Sequence, residues 1–125
     1  MMKNKGILIA ALSGFFSVGL GALAAHGLSH MLDAKALAWI DTGLKYQLFH
    51  TLAILALGLS GGRDNKFANL ATLAWTLGIV FFSGSLYALA FGVGKSVVWI
   101  TPIGGILFLI GWLSLACGSI KSKSE

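Results

Sequence analysis

The chain has 125 residues, of which 57% are hydrophobic and only 10% charged, and its mean hydropathy is +0.87. So little charge cannot cover the surface of a soluble domain of this length, and that excludes a water-soluble enzyme or binding module. The charges gather near 3–5, 33–45, 63–66, 95 and 121–125, and the apolar stretches between them are about as long as a bilayer core is thick.

The net charge of +5 needs no nucleic acid to explain it. Lys3, Lys5, Arg63, Lys66, Lys121 and Lys123 fall where all of them can face one side. Positive charge collects on the cytoplasmic side of membrane proteins. The expectation is therefore an all-α membrane protein, a four-transmembrane-helix bundle with both termini cytoplasmic.

Span one is read over residues 6–25, charge-free and about 30 Å long as a helix. Lys3 and Lys5 in front and Ala22 and Ala24 behind give it the look of a signal peptide. Its apolar core is longer than the roughly 7–15 residues such a segment carries, so a retained helix is expected. Ser13, Ser17, Gly21 and Ala25 recur every fourth position, with Gly6, Ala10 and Gly14 as a second row. Small-residue ridges of this kind let helices approach closely in lipid. His26 ends the span where it complements the helix dipole, with Gly27 expected as a left-handed cap.

Over 27–43, Met31, Leu32, Ala36, Trp39 and Ile40 share one side at helical spacing, and Asp33 suits an N-cap. This predicts a short interfacial helix between spans one and two, then a kink near Gly43. The alternative is one long helix from Asp33 to Leu59. Span two is read over 44–60; it opens "LKYQLFH", so its outer third is polar, and it stops at Gly61-Gly62. "GGRDNK" then reads as a tight cytoplasmic turn. Asp41 and Lys45 stand in the favoured i, i+4 order for a helix-stabilising pair.

Span three is read over 67–91, long enough to tilt, with a small ridge at Gly84, Ala88 and Gly92. "GVGKSVVWI" is expected to return along the outer interface with Trp99 as anchor. Span four is read over 102–120, with Thr101 as N-cap and Pro102 in the first turn. Gly104, Gly111 and Gly118 repeat every seven residues, which marks a face against another helix. Trp75 and Trp112 are at similar depth and placed to pack together. Cys117, the single cysteine, reads as a small hydrophobe. "FFSVGLGALA" at 15–24 and "FFSGSLYALA" at 81–90 match in register, as a duplicated two-helix hairpin would leave them.

Ionisable groups in a bilayer are costly and face protein or water. Tyr46, Gln47 and His50 share a face of span two, His26 ends span one on the same outer side, and Lys45 and Tyr87 lie nearby. A cluster of His26, Lys45, Tyr46, Gln47, His50 and Tyr87 is expected. Its first reading is interhelical hydrogen bonding, its second a ligand or proton site. Two histidines without a neighbouring carboxylate or thiolate give too few metal ligands. There is no Ser-His-Asp set, phosphate loop or paired buried carboxylate, so no enzyme, metal or cofactor is expected.

"GALAAHGLSHML", "TGLKYQLFHTLAILALG", "FFSGSLYALA" and "TPIGGILFLIGWL" resemble, in order, the bacterial membrane proteins grouped as domain of unknown function 423, whose eukaryotic relative is the transmembrane protein 256 family. The resemblance covers about residues 6–120 and points to His26, Gly27, Tyr46, Gln47, His50, Ser83, Tyr87, Pro102 and Gly104. It implies four helices in a bacterial plasma (inner) membrane, both termini cytoplasmic, and no established activity. The chain departs from the pattern at Ala24-Ala25, where glycine-alanine is expected, and at Thr51, where alanine is expected. The first reading of function is a structural or regulatory protein of membrane integrity or homeostasis. It would contact membrane lipids, self-associate as a homo-oligomer through ridges that include Ser17, Gly21, Gly84, Ala88, Gly104 and Gly111, and meet a membrane-protein partner. The alternative is a minimal transporter, channel or lipid-binding protein using the polar cluster.

Overall fold

The computed structural model describes the backbone of residues 2–60 and 65–124 and the side chains of 5–60 and 65–121. The expected turn at Gly61-Gly62 and Arg63 lies outside the described residues. Within them the chain is all helical: α1 (Met2–His26), α2 (Ala34–Leu59), α3 (Lys66–Ala90) and α4 (Ile100–Ser124). A 3₁₀ turn at Leu28–His30 joins α1 to α2, and another at Lys95–Trp99 leads into α4.

Successive helices pack antiparallel, α1 on α2, α2 on α3 and α3 on α4, so α2 and α3 form the middle of the bundle. The register is read from the glycines: Gly6, Gly14 and Gly21 of α1 face Ile54, Thr51 and Leu44 of α2. Gly104, Gly111 and Gly118 of α4 face Phe82, Trp75 and Phe67 of α3. Side chains at those three α4 positions would collide with the α3 backbone or rings, so the absence of Cβ sets how closely the helices approach. One buried cluster joins Ala10, Ile54, Ala71, Trp75 and Phe108; a second joins Ala36, Ile40 and Ala90. Leu12, Phe15 and Phe16 of α1 and Ile106, Leu109 and Leu113 of α4 are exposed, as expected where lipid rather than water is the solvent. Three helices are long and apolar enough to cross a membrane, Lys5–His26, Lys66–Ala90 and Lys95–Lys121. The helix α2 is as long, at 26 residues, but carries Lys35, Asp41 and Lys45 in its first half.

Several local expectations are corrected. There is no separate interfacial helix over 27–43 and no break at Gly43: α2 runs continuously from Ala34, with Asp33 accepting from the Ala36 N–H at 2.8 Å. The long-helix alternative is the observed one. Gly43 instead admits the ring of Tyr87, whose Cε1 would lie 2.6 Å from a Cβ there. Gly27 is not a left-handed cap but has φ −90°, because the chain winds on into the 3₁₀ turn and its N–H still reaches the Leu23 carbonyl. Among the described residues the left-handed glycine is Gly92, φ 89°, which closes α3 with bonds from Gly92 N–H to Leu89 O and Val93 N–H to Ala88 O. Thr101 lies inside the first turn of α4 and its hydroxyl pairs with Ser85 rather than capping. The helix α3 is widened at Ile79–Ser83 into one π turn, with the Gly84 N–H bonded to the Ile79 carbonyl. Such a turn shifts the faces on either side of it.

Candidate functional site: polar contacts inside the bundle

At the midpoint of α2, the Gln47 side chain is buried between α1 and α3. Its Nε2 donates to Ser13 Oγ at 3.0 Å, and its Oε1 accepts from the Tyr87 hydroxyl at 2.6 Å. Ser13 Oγ also lies 2.7 Å from Thr51 Oγ1, one turn along α2. The Ser13 carbonyl, 3.4 Å from Nε2, can only accept, which turns the amide nitrogen toward Ser13 and the oxygen toward the Tyr87 hydroxyl. One side chain thus ties three helices together. A second crossing lies beside it: Ser83, from the π turn, donates to the Gly43 carbonyl at 2.7 Å.

One turn further on the same face of α2, His50 meets α4 rather than α1. Its Nδ1 lies 2.8 Å from the Tyr46 carbonyl and its Nε2 lies 3.0 Å from the indole nitrogen of Trp112 on α4. Indole N–H only donates and a carbonyl only accepts, which assigns the proton to Nδ1 and leaves Nε2 as acceptor. The ring stacks on Phe108, centroids 3.7 Å apart and 6° from parallel, with Phe49 against its edge. Trp75 and Trp112 pack with centroids 4.5 Å apart, and the Trp75 indole donates to the Phe108 carbonyl at 3.3 Å. An imidazolium would set a second N–H against the Trp112 donor, so the neutral ring is the one this site fits. Among the described residues, no buried side-chain nitrogen or oxygen lacks a hydrogen-bond partner.

The predicted cluster is therefore split. Gln47 meets Tyr87 on α3, and His50 meets Trp112 on α4. His26 belongs to neither: it is exposed at the end of α1, about 20 Å along that helix from Ser13. The reason is the start of α2 at Ala34 rather than near Leu44, which moves Gln47 and His50 from the end of the helix to its middle. Lys45 is exposed and pairs with Asp41 at 2.9 Å, a contact worth little at a surface. Tyr46 is half-exposed and lies against Phe82 and Phe108. Ser17 is buried and donates back to the Ser13 carbonyl. Gly21 touches Leu44, while Gly104 and Gly111 are occupied by Phe82 and Trp75. Gly84 faces open space and Ala88 is only half-buried, so that ridge is not a helix contact within the chain. Sequence reasoning missed Ser13 and Thr51 as bonding groups and Trp112 as the partner of His50. The hydroxyls at i, i+4 on α1 were visible, but serine also serves as a small packing residue, and spacing does not separate the two uses.

Between α2 and α4 a groove of about 460 Å³ opens beside His50, lined by Tyr46, Phe49, Phe82, Phe108 and Trp112 among others. It is apolar and faces outward from the bundle, so it offers no polar route through the chain.

The family model described as Protein of unknown function (DUF423) matches residues 20–105. A UPF0382 membrane protein of Haemophilus influenzae is 69% identical over 98% of this chain and 99% of its own length. The UPF0382 inner membrane protein YgdD of Escherichia coli K12 is 44% identical over 100% of this chain and 96% of its own. A UPF0382 membrane protein of Staphylococcus saprophyticus is 44% identical over 92% of this chain and 96% of its own. No solved structure matches.

Proposed function

The chain belongs to the DUF423 family of membrane proteins, and from that premise we propose that it is a four-span structural or regulatory element of the inner membrane, with both termini in the cytoplasm. In this reading α2 is the fourth span, and its polar residues fasten the bundle rather than form a path for a solute. The observation that carries it is the closure of the Gln47 contacts: the amide and the Tyr87 hydroxyl satisfy one another, with Ser13 completing the set. A transport path needs polar groups that are free to exchange partners with water or cargo, and these are not.

Of the glycines expected to carry self-association, Gly104 and Gly111 are used by α3 and Gly21 by α2, while Gly84 faces open space. A homo-oligomer or a membrane-protein partner would use the exposed outer faces of α1 and α4 or the uncovered Gly84 and Ala88 ridge of α3. Flux through proteoliposomes tests the functional reading. Vesicles containing the purified protein are expected to leak protons and small ions no faster than protein-free vesicles. A flux that appears with wild type and disappears with Gln47→Leu or His50→Ala would restore transport.

A further inference from the structure

At the end of the bundle where residues 27–33 and 91–99 connect the helices, Lys35 and Lys95 line one cleft of about 290 Å³. The two lysines come from different elements, the first turn of α2 and the 3₁₀ turn before α4. The floor between them is apolar: Trp39, Leu86, Leu89 and Val98. Lys35 Nζ stands 5.3 Å from the centroid of the Trp39 ring, which holds the ammonium at the mouth.

The carboxylates at this end are committed elsewhere. Asp33 caps α2 through the Ala36 N–H, and Asp41 holds Lys45. Among the described residues neither Lys35 nor Lys95 has a carboxylate partner. The N-terminal ends of α2 and α4 lie at the same end and add partial positive charge. Two unneutralised cations above an apolar floor at headgroup depth complement an anion that carries hydrocarbon.

We propose that this cleft binds an anionic phospholipid, with Lys35 and Lys95 on its phosphate and the Trp39, Leu86, Leu89 and Val98 floor against the start of an acyl chain. The site rests on the four-span reading, which places this end of the bundle at the headgroups.

The test uses the full chain in mild detergent with phosphatidylglycerol, phosphatidylcholine or inorganic phosphate added, and reads bound lipid by native mass spectrometry beside thermal stability. Wild type is expected to prefer phosphatidylglycerol. Lys35→Gln and Lys95→Gln are each expected to weaken that binding about fivefold, the effect of one surface lysine near an anionic headgroup. The double variant should treat the two lipids alike while keeping its lipid-free stability. Lys45→Gln should keep the wild-type preference. Absence of a preference in wild type, its survival in the double variant, its equal loss in Lys45→Gln, or the same stabilisation from inorganic phosphate alone overturns the proposal. Membrane-impermeant maleimide labelling of Lys35→Cys and Lys95→Cys, in a Cys117→Ser background, separates the two readings. Labelling from opposite faces sinks the four-span reading, whereas same-face labelling without a lipid preference sinks the lipid site alone.

Discussion

Gln47 carries a donor and an acceptor on one side chain, and the bundle uses both, Nε2 on Ser13 and Oε1 under Tyr87. Removing one partner of a buried pair leaves the other without a substitute, since hydrocarbon offers no hydrogen bond. Interhelical hydrogen bonds in membranes average about 0.6 kcal/mol and reach about 1.7 kcal/mol. Gln47→Leu and Tyr87→Phe are each expected to lower unfolding free energy in detergent by roughly that amount. The double variant should cost less than the two added together, because both remove one shared bond. Unchanged stability in both single variants would mean that the contact contributes nothing. The sequence already placed Gln47 and His50 on a polar face of one helix, because that requires only the 3.6-residue period. Their partners were not legible, because whether His50 meets His26 or Trp112 depends on the register between helices, and no local pattern sets it.

Between elements, glycine marks contact only where the opposing helix arrives. Gly104 and Gly84 both stood in small-residue rows, yet a Cβ on the first would strike the Phe82 backbone and a Cβ on the second would meet nothing within 4 Å. Gly104→Ala is expected to lower unfolding free energy by about 1–3 kcal/mol through overpacking. Gly84→Ala should be neutral or stabilising by up to about 1 kcal/mol, from the lower backbone entropy of alanine. Equal losses in thermal or denaturant unfolding would contradict the α3–α4 register. The heptad of Gly104, Gly111 and Gly118 was legible as a packing face because its period spans the whole helix. The π turn at Ile79–Ser83 was not: it is a one-residue adjustment that brings Ser83 to the Gly43 carbonyl, and residue type does not announce it. The break expected near Gly43 came from reading a glycine as a hinge; the residue is there to receive the Tyr87 ring.

For the whole molecule, α2 decides the account. Composition alone marks three helices as able to cross a membrane, and α2 falls outside that set through its polar and charged residues. Packing supplies the counter-argument: Gln47, His50 and Thr51 are buried and bonded inside the chain, and Lys45 and Asp41 neutralise one another toward one end. A helix whose mid-length polar groups are satisfied by its neighbours can cross the membrane in their company even when its average hydropathy is modest. The number of crossings then follows from which side each terminus occupies. A reporter enzyme that is active only outside the cytoplasm, fused in turn to the N-terminus and to the C-terminus, measures this directly. Four crossings put both termini on one side, and the positive charge beside them makes that side the cytoplasm, so the account predicts that both fusions are silent. One silent and one active fusion would mean an odd number of crossings, and would contradict α2 as a span.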